Sequence, residues 1–218
     1  MTKNIICLFI YTLLRKCITT MEDKRIIKTK KNLKKTLIEL LDKKPFEQIT
    51  VTELCQAAET SRITFYTHYN DKYELVEEIF QDMLAIAENT YYHLQETNNP
   101  YNDPVTSYCN VLDSILDLYY GEAPFFTHAV PGESPYLYFT FCSYFSQKVE
   151  QHIKRESKLL APKYSLKKVT NFLCNGLWGF ISECHAEKCP LEEVKAETRV
   201  LLANILKSNI LTISLKQL

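Results

Sequence analysis

The chain has 218 residues, 46% hydrophobic and 24% charged, an ordinary globular composition with room for a small domain and a larger one with its own core. Only 4 Gly and 8 Pro, with no alternating pattern bounded by turns, point to an all-α fold and exclude one built from hairpins. The zero net charge hides an asymmetry: residues 1–20 carry three basic and no acidic side chains, 21–72 eleven basic against eight acidic, and the rest twelve against eighteen, so a polyanion is attracted to the N-terminal end only.

Residues 1–20 open with an apolar run, Ile5 to Leu14, too short to span a bilayer as a helix. Arg15, Lys16 and Cys17 follow where a signal peptide needs small residues. We read 1–20 as an extension or a mis-assigned start ahead of Met21, with a weak membrane or partner-binding role as the alternative. A helix is predicted from about Asp23 to Lys44, with Ile27, Leu33, Leu37, Leu40 and Leu41 on its buried face. Its other face carries Lys24, Arg25, Lys28, Lys30, Lys31, Lys34 and Lys35 with no acid among them. Pro45 ends it, and Phe46 and Ile49 are expected to plug a small core.

Thr50 followed by Glu53 is a capping box, so a helix is expected over about Val51–Ala58. Ser61 supplies a second N-cap a few residues later, and the helix it starts ends near Asn70. Ile63, Phe65, Tyr66 and Tyr69 are taken as its inward apolar members. Asp71 with Glu74 caps a longer helix reaching about Gln95, until Asn98, Asn99, Pro100 and Pro104 break it. Further helices are predicted over about Asp103–Tyr120, Phe125–Ala129, Ser134 or Pro135 to Ser157, Pro162–Glu187 and Pro190–Ser208.

Two short helices joined by so few residues cross steeply, the geometry that sets a second helix into a DNA major groove. The pieces KKNLKKTLIELLDKKPFEQITV, TELCQAAETSRITFYTHY and NDKYEL, from Lys30 to Leu75, resemble the DNA-binding domain of the TetR family of transcriptional regulators. Glu59 stands in the turn where that family usually has Gly. The stretch NFLCNGLWGFISECHAEKCPLEEVKAETRVLLANIL resembles the C-terminal helices of one TetR subgroup through Phe172, Gly176 and Gly179. Cys184 and His185 replace aromatic residues usual there.

The resemblance implies a helix-turn-helix head at 21–72 and a helical effector-binding and dimerisation domain at 73–218. It implies a cytoplasmic homodimeric regulator, a repressor on a palindromic operator, modulated by an unknown small-molecule effector. The alternative is a coregulator acting through protein partners. Candidate contacts to double-stranded DNA are Thr50, Ser61, Arg62, Thr64, Tyr66, Thr67, His68 and Lys72. Arg and Thr can reach base edges, and residues at helix N-termini meet phosphates. Among the many aromatics, Tyr108, Phe126, Tyr138, Phe141, Phe145, Phe172 and Trp178 are candidates to line an effector pocket. Leu173, Gly176, Leu177, Phe180, Val194, Leu201 and Ile205 are the candidate dimer contacts.

Cys174, Cys184, His185 and Cys189 lack the close CxxC pairing of a zinc site, so no metal and no cofactor is expected, and free thiols are expected throughout. No Gly-rich phosphate loop, HExxH or GxSxG is present, which argues against an enzyme. No membrane partner is expected.

Overall fold

The computed structural model describes residues 24–121, 123–129, 132–156, 161–208 and 212–213. The reading of residues 1–20 as an extension lies outside the described residues. The all-α expectation holds: helices α1 (Lys24–Leu41), α2 (Val51–Ala57), α3 (Arg62–His68), α4 (Lys72–Asn98), α5 (Pro104–Gly121), α6 (Ala123–Phe126), α7 (Pro135–Glu156), α8 (Leu166–Ala186) and α9 (Leu191–Lys207) follow in order. A two-residue antiparallel ladder, Ala161–Pro162 on Thr212–Ile213, is added to them. It takes the place of the first turn expected for α8, which starts instead after Ser165.

Each head helix begins and ends for a local reason. Helix α1 stops at Leu41, where the amides of Lys43 and Lys44 fold back onto the Leu40 carbonyl at 3.0 and 3.2 Å just before Pro45. Thr50 Oγ1 accepts from the Glu53 amide at 3.2 Å to start α2, and Ser61 Oγ accepts from the Thr64 amide at 3.0 Å to start α3. Asp71 caps α4 by accepting from the amides of Tyr73 and Glu74, both at 2.9 Å. Leu33, Leu37, Leu41, Phe46, Ile49, Leu54 and Phe65 form the head's core. Ile27, expected on the buried face of α1, is instead 49% exposed, because the core begins only at Leu33, beyond the first turns of the helix.

Lys30 and Lys34 of α1 are tied to α4. Lys30 pairs with Glu78 at 3.1 Å, and Lys34 pairs with Glu78 at 2.6 Å and with Asp82, joining α1 to α4. Burial pulls the Lys34 ammonium down, but its bonds to Asp82 and Glu78 outweigh that and raise its pKa.

Behind the head, α4 packs on α5, α5 on α9, and α7 on α8. Phe80 of α4 meets Phe125 edge-on at 5.3 Å, and Phe126 and Phe141 lie 4.8 Å apart, so the linking helix is rooted in an aromatic core. A partly buried polar seam crosses the body. Asn98 and Asn110 exchange amide hydrogen bonds at 3.0 and 2.8 Å, and Arg199 of α9 donates to Asn110 at 3.1 Å while lying 2.7 Å from Asp113. Head and body also meet directly: the Phe46 amide donates to buried Ser134 Oγ at 3.0 Å, and the Phe46 and Tyr136 rings stack at 5.4 Å.

Candidate nucleic-acid interface

Seven residues make α3, and its periodicity sorts them cleanly. Phe65 is fully buried and Tyr69, just past the helix end, nearly so; they stand one turn apart and anchor the helix. The opposite face presents Arg62, Ile63, Tyr66 and Thr67 around a shallow concavity. Hydrophobicity alone places Ile63 and Tyr66 inward, yet Ile63 is 82% exposed and Tyr66 48% exposed. The signal that separates them is register: Phe65 and Tyr69 are four apart, whereas Ile63 pairs at that spacing with polar Thr67. A large aliphatic side chain held in water this way suits apolar contact with thymine methyls.

The outward face is pre-arranged. The Arg62 guanidinium stands 5.9 Å from the centre of the Tyr66 ring. The Thr67 hydroxyl donates to the Ile63 carbonyl at 2.8 Å, which directs its methyl outward from the helix backbone. Thr64 is half-buried and shares a hydroxyl contact of 2.9 Å with Ser61, so both act first as the N-terminal cap. His68 is half-buried, while Thr50 is exposed at the start of α2.

The turn before α3 departs from the residue usual in such heads and keeps the geometry. Glu59 adopts φ 49°, the left-handed region that favours Gly, at a cost of about 1–2 kcal/mol. Asn32 of α1 holds this turn by donating to the Ala58 carbonyl at 2.7 Å. Lys28, Lys31 and Lys35, exposed on the same stretch of α1, therefore lie on the side of the head that carries the turn.

Lys72, expected at a phosphate, is engaged otherwise. Its ammonium donates to the carbonyls of Phe46, Glu47 and Ile49 at 2.8, 3.0 and 2.8 Å, and sits 4.5 Å from the centre of the Phe46 ring. Three donors meet three acceptors, so none remains for a phosphate oxygen. Burial, with Lys44 adding to it and Glu47 opposing, lowers its pKa. Lys72 closes the turn between α1 and α2 onto the start of α4.

In the body, the aromatic set expected to line a pocket divides. Phe126, Phe141 and Trp178 are mutual core, with Trp178 5.0 Å from Phe141 and Tyr138 at 6.5 Å from Trp178. Tyr108 is buried edge-on against His152 at 5.0 Å. Phe172 is 58% exposed on α8 and does not border the slot between α4, α5 and α7. Phe145 alone of the set borders the apolar slot between α4, α5 and α7, whose other walls include Leu84, Ala87, Tyr91, Ile115 and His152. Ring count cannot tell which helix pair leaves a gap.

The expected dimer residues divide as well. Leu173, Leu177 and Val194 are buried by packing within the chain. Gly176, Phe180, Leu201 and Ile205 remain accessible, together with Phe172, Gly179 and Val200, which are not among the candidate dimer contacts. On α8, Phe172, Gly176 and Gly179 share a face roughly 110° round the helix from Leu173 and Leu177. A Cβ at either glycine meets nothing within 4 Å, so no packing inside this chain requires them.

The sequence pattern of bacterial regulatory proteins of the tetR family matches residues 35–79, which contain the whole α2–turn–α3 unit. No curated protein matches the chain. Among solved structures, one assigned as a TetR-family transcriptional regulator from Syntrophomonas wolfei superposes with a TM-score of 0.69 at 9% identity, covering 84% of this chain and 97% of its own. A transcriptional regulator from Aquifex aeolicus gives 0.52 at 18% identity, covering 81% and 99%. Residues 35–79 are thus a TetR-type helix-turn-helix head, and the chain as a whole has the fold of the TetR family of transcriptional regulators.

Proposed function

We propose that the protein is a DNA-binding transcriptional regulator, a repressor acting as a homodimer on a roughly palindromic operator. The observation that carries the reading is the outward face of α3, where Arg62, Ile63, Tyr66 and Thr67 stand in solvent on a helix whose other face is locked into the head. Arg62 reads a guanine edge, Ile63 and the Thr67 methyl meet thymine methyls, and Tyr66 with His68 bonds backbone phosphate. Thr50 and the Ser61–Thr64 cap sit at helix N-termini, where the dipole favours phosphate.

Residues 21–72 form the DNA-binding unit and 73–218 the effector-binding and dimerisation unit. The accessible strip of Phe172, Gly176, Gly179, Phe180, Leu201 and Ile205 on α8 and α9 is the surface for the second copy, since two exposed glycines let helix backbones approach closely. Two heads held this way engage successive major grooves about 34 Å apart. A small-molecule effector entering the slot beside α4 tilts that helix and changes the head separation, to the extent of its differential affinity for the two arrangements. Such a regulator works in the cytoplasm.

The test is selection of genomic fragments by the purified full chain, followed by a mobility-shift titration. Recovery of an inverted repeat, bound by the intact chain and lost with Arg62→Ala, supports the reading. Failure to retain any duplex at low salt, with the dimer intact, transfers the protein to the coregulator class.

A further inference from the structure

The slot between α4, α5 and α7 has a volume of about 70 Å³, and its two ends differ in chemistry. Its trough is apolar, walled by Leu84, Ala87, Ile115, Phe145 and Val149. At one end it adjoins a polar hollow that shares Tyr91 and Tyr92 and adds Gln95, Asn99 and Ser107. Helices α4 and α7 run side by side in the same direction, Phe80 meeting Phe141, Glu88 facing Lys148 and Tyr91 meeting His152. One turn further along α7, Arg155 therefore arrives at the polar end of the slot, whose wall it forms.

Charge around the slot is lopsided. Lys148 has Glu88 at 3.9 Å, whereas Arg155 forms no ion pair with any described side chain. His152 adds no charge at neutral pH, because burial drives its pKa down to about 4, with Arg155 contributing. Its Nε2 lies 3.3 Å from Ser107 Oγ, which also meets Tyr91 Oη at 3.1 Å and Gln95 Nε2 at 2.7 Å. Among the described residues, one cation without an ion-pair partner thus stands beside a cluster of neutral donors, at the mouth of a hydrocarbon-lined trough.

We propose that the slot binds an amphipathic monocarboxylate, its hydrocarbon chain along the Leu84–Phe145 trough and its carboxylate at Arg155 beside the Tyr91 and Ser107 hydroxyls. The proposal rests on the reading of this body as an effector domain and supplies the chemical class of the effector. At the present volume the chain enters only if α4 and α7 part, and α4 begins at the head, so occupancy and head position are coupled.

Calorimetric titration of the full chain with octanoate, 1-octanol and octylammonium tests this. Octanoate is expected to bind about tenfold more tightly than 1-octanol, with octylammonium weakest. Arg155→Gln, a change at an exposed side chain, brings octanoate down to the 1-octanol level and leaves the melting temperature in place. Ala87→Phe fills the trough and abolishes binding of all three; Arg155→Gln decides the matter if that variant does not fold. Equal binding of octanoate and 1-octanol, or octanoate binding indifferent to Arg155→Gln, overturns the proposal. No octanoate binding, with duplex retention intact in the same preparation, overturns the ligand class alone. Octanoate bound with its Arg155 dependence, in protein that retains no duplex, supports the ligand class and removes the regulator reading.

Discussion

Replacing Lys72 by Met separates a structural lysine from a DNA-binding one. The ammonium donates to three backbone carbonyls at 2.8, 3.0 and 2.8 Å, and the Met side chain keeps the stem packed on Phe46 while removing the charge and all three bonds. Bonds from a charged donor contribute about 1.5–3 kcal/mol each, but three from one half-exposed ammonium are not additive, and water re-solvates part of the loss, which leaves about 2 kcal/mol. For a chain of this length that lowers the melting temperature by roughly 4–8 °C. A phosphate-binding lysine behaves differently: its loss flattens the dependence of log affinity on log salt by about 0.9, with little change in stability. Thermal melts paired with salt titrations on a random duplex read both quantities from one preparation. A variant that melts with the parent protein and whose salt slope falls by about one would instead place Lys72 on a phosphate.

Four other expectations are independent of that one. Glu59→Gly relieves the φ of 49° and raises head stability by about 1 kcal/mol, measured by denaturant melts; a loss of stability would show that the turn is unstrained. Ile63→Ala leaves the melting temperature unchanged, the side chain being 82% exposed, and weakens binding to the selected operator, while Arg62→Ala costs about 1–3 kcal/mol on that operator and little on random duplex; equal losses on both duplexes for Arg62→Ala would rule out base readout there. His152 has a folded pKa lowered from 6.5 to about 4, so the native state resists a proton that the unfolded chain accepts, and stability present above pH 6.5 is lost as pH falls towards about 4. The loss amounts to about 3 kcal/mol, and His152→Gln should flatten that slope in urea melts taken across the window; an unchanged slope removes His152 as its source. On the proposed dimer, Gly179→Arg converts the chain to a monomer on a sizing column without lowering the stability of the single chain, because nothing lies within 4 Å of a Cβ there; a dimer that survives the change would place the interface elsewhere.

The interface on α3 shows where residue type and residue position part company. Arg62 and Thr67 are polar and announce themselves, but Ile63 and Tyr66 look like core and stand in solvent. Lys72 errs in the opposite sense. A lysine at a helix start invites a phosphate reading, and only the folded loop at Phe46–Ile49 brings three carbonyls to it. On α8, Leu173 and Leu177, both candidate dimer contacts, serve packing inside the chain, while Gly176 and Gly179 stand on its accessible side.

By itself the sequence determined the helices, their caps and the head, because caps, prolines and apolar periodicity act through neighbours within a turn or two: Thr50 with Glu53, Ser61 with Thr64, Asp71 with Tyr73 and Glu74. Tertiary structure alone decided which aromatics became core, that Phe145 borders the slot, that the neutral cluster around His152 lies beside Arg155, and that the head rests on Ser134. These depend on how far apart helices settle when their side chains interdigitate, a sum over residues distant in the chain that no local pattern contains.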